Sequence, residues 1–114
     1  MIYLDHNATT PVDIEIRDAI CDALNVFGNA SSSHIAGKEA HELLEGARTA
    51  VAELIGASPE EIIFTSGGTE SNNLAIIGFV QSFGKGHIIS SRIEHPSVTN
   101  PLKYIEKQGY GVTL

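Results

Sequence analysis

A single cysteine, Cys21, occurs among the 114 residues, so neither an internal disulfide nor a cysteine-based zinc finger can form within the chain. Basic residues are scarce as well. Seven Lys and Arg oppose fourteen Asp and Glu, for a formal net charge of −7, and the seven are scattered. That argues against nucleic acid as the main partner, because phosphate backbones are bound by clustered Lys and Arg. A local site can still hold an anion against an acidic average field. Long apolar runs are missing too. The longest, Leu74 to Val80 with Gly78 inside it, falls far short of the roughly 20 residues that cross a bilayer. The opening Met1-Ile2-Tyr3-Leu4-Asp5-His6 has no basic stretch followed by an apolar one, so no secretory signal is read there. The expected location is the cytoplasm, with no membrane partner.

What is present has the make-up of a soluble globular domain, 42% hydrophobic and 18% charged with a mean hydropathy of +0.04. A short extended piece, Ile2 to Asp5, leads into the polar turn His6-Asn7-Ala8-Thr9-Thr10-Pro11. Asp13 is placed to cap a helix whose apolar residues Ile16, Ala19, Ile20, Ala23 and Leu24 recur at helical spacing. Cys21 lies beside that stripe and is expected to pack in the core or at its boundary. Asn25 to Ser33, rich in Gly, Asn and Ser, is a loop. A longer helix is expected from about Gly37 to Ile55, with Ala40, Leu43, Leu44, Ala47, Val51, Leu54 and Ile55 in one stripe and Gly56 as its stop. Ser58-Pro59-Glu60-Glu61 has capping-box spacing and predicts a single turn.

Beyond that turn the period shortens. Ile62 to Thr65 reads as a buried strand, and Thr69 to Phe83 as a helix apolar on most sides and therefore deeply packed. Gly84-Lys85-Gly86 turns into a second strand, His87 to Ser90. Pro96 starts a helix bearing Val98, Leu102 and Ile105, closed by Gly109, and Gly111 to Leu114 begins a last strand in which the chain stops. Strand–helix–strand–helix–strand is an α/β pattern. A chain ending inside a strand is expected to be a truncated one.

Two segments carry candidate chemistry. In Phe64-Thr65-Ser66-Gly67-Gly68-Thr69-Glu70-Ser71-Asn72-Asn73 a strand runs through two glycines into a helix start. Free amides and the positive end of the helix dipole favour an anion there, with phosphate the natural one and Thr69 adding a hydroxyl donor. The other reading is a plain helix cap, in which Thr69 and Glu70 satisfy orphan amides. Neither a nucleotide P-loop nor a dinucleotide fingerprint is present. In Ser90-Ser91-Arg92-Ile93-Glu94-His95-Pro96, His95 follows the second strand and precedes a helix. Ligands gather beyond the carboxyl ends of such strands, so His95 and the Gly68-Thr69 turn are candidates to face one crevice. An imidazole there would stack on a flat ring and exchange protons near neutral pH, or would simply cap the helix. A metal site could be drawn from His41 and Glu45, one turn apart on a helix, with His34 as a third ligand, but His-Glu-Leu-Leu-Glu lacks the second His of a zinc protease motif. They read as an exposed charged face, and no metal is expected.

Tyr3-Leu4-Asp5-His6-Asn7-Ala8-Thr9-Thr10-Pro11 resembles the opening of the cysteine desulfurases of the class V aminotransferase family. So do Phe27-Gly28-Asn29-Ala30-Ser31-Ser32-Ser33-His34 with Gly37, then Phe64 to Asn73, then Glu94-His95, in order and spacing. Ala30 replaces the proline usual in the family's Asn-Pro-Ser-Ser, which removes loop rigidity but no functional group. The resemblance implies part of a fold-type-I pyridoxal-phosphate enzyme. Its large domain would begin at residue 37 and run to 114, after an N-terminal arm, helix and loop over 1–36. It implies pyridoxal 5'-phosphate as cofactor and L-cysteine as substrate. Sulfur would pass through an enzyme persulfide to an iron–sulfur scaffold or a thiolated tRNA, and the family's members are homodimers. Gly68 and Thr69 would hold the cofactor phosphate, and His95 would stack on its ring and assist proton transfers.

The same resemblance places other working parts outside this sequence. These are the aspartate on the ring nitrogen, the cofactor-binding lysine of a Ser-x-His-Lys segment, the mobile-loop cysteine and the arginine for the substrate carboxylate. None of Lys38, Lys85, Lys103 and Lys107 follows such a segment. In the family's seven-stranded sheet, the strand of Phe64 lies far from those of Ile88 and Val112. The chain alone is therefore expected to be inactive and to leave apolar edges open. A split-enzyme subunit awaiting a complementary C-terminal chain, and a selenocysteine lyase or another class V relative, are the alternatives.

Overall fold

Asp13 caps the first helix: its carboxylate accepts from the Glu15 amide at 3.0 Å. Helix α1 then runs Ile14–Ala23 in the computed structural model, which describes residues 2–84 and 86–114. The expected turn at Gly84-Lys85-Gly86 includes Lys85, which lies outside the described residues. The chain forms two compact units, one ending at Ile62 and the other beginning at Ile63.

In the first unit, the apolar stripe of α1 is there but nothing covers it. No residue of the helix is buried, and Cys21 is exposed, contrary to the packing expected of it. Helix α2 runs Ile35–Ile55, two residues earlier than Gly37, because His34 caps it through Nδ1, which accepts from the Gly37 amide at 3.2 Å. Its start is pressed against the preceding loop. A methyl group on Gly28 would lie 1.9 Å from the Ala36 carbonyl oxygen, and one on Gly37 2.3 Å from that of Ser32. Those two glycines let the loop and the helix meet. Gly56 ends α2 in the left-handed conformation expected of it. The turn Pro59–Glu61 follows, with the Glu61 carboxylate accepting from the Ser58 amide at 2.8 Å. Arg48 pairs with Glu45 at 3.1 Å and donates to the Ile62 carbonyl, tying the turn to α2.

The second unit holds the α/β part. Strand β1 (His87–Ile89) pairs in parallel with β2 (Gly111–Thr113), with Ile88 opposite Val112. Helix α5 (Pro96–Lys107) supplies the crossover that parallel strands require. Between Gly68 and Phe83 the expected helix forms in three pieces: α3 (Gly68–Asn73), a π-helical stretch Leu74–Gly78, and α4 (Phe79–Phe83). The core is small: Val80, Leu102 and Ile105 are at most 5% exposed, and Ile76, Ile77, Ile88, Val98, Tyr110 and Val112 pack around them.

Two expectations fail here. Ile62 to Thr65 is not a strand among the described residues, because the sheet contains only β1 and β2, each already paired to the other. An extended segment without an adjacent ladder remains a loop. The helix from Gly68 to Phe83 is not deeply packed either. Val80 is its one buried residue among those described, and Phe83 is 73% exposed, since the unit has too few elements to cover a helix that is apolar on most sides.

Candidate functional site

The loop before α3 is built by its own side chains. The Glu70 carboxylate reaches back to accept from the Ser66 amide at 2.7 Å and the Ser66 hydroxyl at 2.6 Å. These bonds, the hydroxyl first and the amide second, hold its carboxyl below the usual carboxylate range. The hydroxyls of Thr65 and Ser71 lie 2.7 Å apart, and the Ser71 hydroxyl donates to the Gly67 carbonyl at 3.3 Å. The first intrahelical bond runs from the Ser71 amide to the Gly67 carbonyl, so the amides of Gly68, Thr69 and Glu70 stand ahead of the ladder. Nothing lies within 4 Å of where a side chain on Gly67 or Gly68 would begin, which leaves room for a ligand to meet the backbone.

His95 stands at the start of α5. Its Nδ1 accepts from the Ser97 amide at 3.1 Å, so the helix-capping reading of this residue is correct. Capping does not remove it from the site. Thr69 and His95 line a single cleft of about 590 Å³, with Asn73, Ile77, Ser97 and Tyr104 also on its walls. Pro101 lies inside α5 and is buried, and its missing N–H leaves the Ser97 carbonyl without the usual helical donor. The first turns of α3 and α5, and so the positive ends of both dipoles, therefore border one opening. Gly68 is one residue before Thr69 and is not on the cleft wall.

Several contributors escape sequence reasoning. Ser66, Thr65 and Ser71 brace the glycine loop, and Asn72 donates to the Ser97 hydroxyl at 2.8 Å across 25 residues. Glu70 four residues after Ser66 is a signal available in the sequence, since that spacing suits a carboxylate reaching back to an amide. The Asn72–Ser97 bond has no such signal. The residues of the metal reading are engaged elsewhere: Glu45 by Arg48, and His34 by the α2 cap. No group of three potential metal ligands occurs among the described residues. No helix is long and apolar enough to cross a membrane among them.

Comparison with known proteins bears on the whole chain. The sequence is 50% identical to a cysteine desulfurase IscS of Azotobacter vinelandii and 51% identical to one of Pseudomonas putida; each match covers 98% of this chain and 29% of the relative. Among solved structures, a NifS-like protein superposes with a TM-score of 0.89 at 39% identity, over 98% of this chain and 32% of its own. A structure described as SspA in complex with cysteine gives a TM-score of 0.88 at 39% identity, over 97% of this chain and 33% of its own. The chain thus spans about a third or less of the proteins it matches. The expected partial α/β fold is the one these structures share. The family model "Aminotransferase class-V" matches residues 2–114, and the chain belongs to the class V aminotransferase family.

Proposed function

We propose that this chain is the N-terminal portion of a pyridoxal-phosphate-dependent cysteine desulfurase, acting in the cytoplasm on L-cysteine and passing sulfur towards iron–sulfur cluster assembly or tRNA thiolation. The observation that carries the reading is the shared cleft, with Thr69 at the start of α3 on its wall together with His95, and an open glycine loop immediately before Thr69. In this reading residues 1–36 form the arm, helix and loop, and 37–114 open the large domain of a homodimer.

The residues present fit the cofactor's phosphate and ring. Orphan amides at Gly68 and Thr69 with the Thr69 hydroxyl suit a dianionic phosphate, and His95 offers a flat face at the far wall. When bound, pyridoxal phosphate supplies the electron sink for bond breaking at the amino acid. The chain's own part is to seat the phosphate, cover the ring and hold a proton at His95. Neither Lys103 nor Lys107 is on the cleft wall, so neither of these would hold the cofactor covalently.

Titration of the purified chain with pyridoxal phosphate, followed by intact mass after borohydride reduction, tests this. A saturable absorbance change without added mass is expected. No absorbance change would sink the cleft as a cofactor site of this chain.

A second reading, a non-catalytic subunit that receives a complementary C-terminal chain, is favoured by its uncovered apolar surface. Leu54 is 85%, Ile89 80% and Ile93 94% exposed. Mixing the chain with the unmatched remainder of the Azotobacter relative separates the two. A complex that regains cysteine turnover supports this reading, and no complex counts against it.

A further inference from the structure

We infer that Asn72 and Ser97 are positioning residues that lock His95 in the tautomer protonated on Nε2, so that the neutral ring presents a hydrogen-bond donor to the cleft. This rests on the proposed reading of the cleft only for its consequence, since the lock itself is a matter of three hydrogen bonds. The Asn72 side-chain amide donates to the Ser97 hydroxyl oxygen at 2.8 Å. With its oxygen accepting, that hydroxyl turns its proton towards His95 Nδ1, 2.8 Å away. The Ser97 backbone amide also donates to Nδ1, at 3.1 Å. A ring nitrogen that accepts from two donors cannot carry a proton, so in the neutral ring the proton sits on Nε2. Nε2 makes no hydrogen bond among the described residues, and the ring lines the cleft.

The consequence concerns which way a proton travels. The lone pair that a neutral imidazole needs to act as a base is the one held against Ser97. What faces a ligand is an N–H. The neutral ring of His95 therefore gives a hydrogen bond to a group in the cleft and offers that group no lone pair in return. Asn72 is not on the cleft wall, and the role assigned to Ser97 here is its bond to Nδ1. They act through His95, and they do so from two different helices, α3 and α5.

Long-range proton–nitrogen correlation NMR on the nitrogen-15-labelled chain in mildly alkaline buffer reads the tautomer directly, with His95→Gln identifying the signals. The wild-type ring should show a protonated Nε2 and an unprotonated Nδ1. Asn72→Asp reverses the outer bond: the Ser97 hydroxyl donates to the carboxylate, and its oxygen then offers Nδ1 a lone pair. The ratio of Nε2–H to Nδ1–H should fall roughly fivefold or more, the equivalent of losing about 1 kcal/mol of hydrogen bonding. Ser97→Ala should lower the ratio, and Ser97→Thr should restore it. A wild-type ring protonated on Nδ1, or an Asn72→Asp spectrum identical to wild type, would overturn the inference. Pyridoxal phosphate titrations of the same samples keep the two ideas apart. Tautomer control without cofactor binding removes the proposed site and keeps the lock. Cofactor binding with an unresponsive tautomer does the reverse.

Discussion

Glu70 and Thr69 are neighbours in the chain with opposite tasks. The Glu70 carboxylate is turned back onto Ser66, where it caps the loop and leaves the amides of Gly68 and Thr69 for a ligand. Because its folded value lies below that of the free side chain, its support for the loop is whole at neutral pH. The support is lost as pH falls through the lowered folded value. An NMR titration of the Glu70 carboxyl carbon should place its midpoint below that of an ordinary glutamate, and Ser66→Ala should move it back up. A midpoint unmoved in that variant would mean another group sets it. Thr69 supplies a hydroxyl to the proposed phosphate. Thr69→Ala is expected to weaken pyridoxal phosphate binding by on the order of 1 to 3 kcal/mol, the worth of a hydrogen bond to a charged group. Unchanged affinity in an absorbance titration would put the phosphate elsewhere.

At the level of elements, α2 shows how position changes what a glycine does. Gly46 lies in its exposed middle with nothing within 4 Å of a would-be side chain, whereas Gly37 meets the Ser32 carbonyl oxygen at 2.3 Å. Gly46→Ala should therefore stabilise the chain by about 0.5–1 kcal/mol through helix propensity. Gly37→Ala faces a backbone clash of about 1–3 kcal/mol, which outweighs the same gain. Urea unfolding of the two variants should give shifts of opposite sign, and shifts of the same sign would mean the loop before α2 yields freely. The split of the second long helix around Leu74–Gly78 is a different lesson. Its apolar composition indicates a helix, but nothing local says that a π-helical stretch will interrupt it.

Taken as a whole, the molecule buries very little for its length. Phe27, Leu54, Phe83, Ile89 and Ile93 are each more than 70% exposed, and the two-stranded sheet leaves an open edge on each strand. Surface of that kind drives association unless something covers it. The purified chain is expected to self-associate with rising concentration in sedimentation velocity and to bind a hydrophobic dye. A monomeric chain with no dye binding would show that its apolar faces are satisfied in solution. The same chain is expected to release no alanine from L-cysteine. Turnover by the pure chain would overturn that expectation.

Features written over a few adjacent residues were readable without coordinates. Asp13, Gly56, and Ser58 with Glu61 mark element ends because caps and left-handed stops depend on local amides and backbone angles. The β–α–β order from His87 to Thr113 follows from its short apolar runs and its Pro and Gly boundaries. The Gly68-Thr69 turn and His95 stood out for the same reason, as helix starts bearing polar groups. What needed the folded chain was everything that depends on a distant neighbour. Ile62 to Thr65 has strand composition and forms no ladder in the two-stranded sheet, and Cys21 sits on an apolar helix that nothing covers. Thr69 and His95 meet across one cleft because α3 and α5 pack together, and the Asn72–Ser97–His95 chain exists only there. Hydrogen bonds across 25 residues follow from packing, and packing is set by which surfaces find a partner.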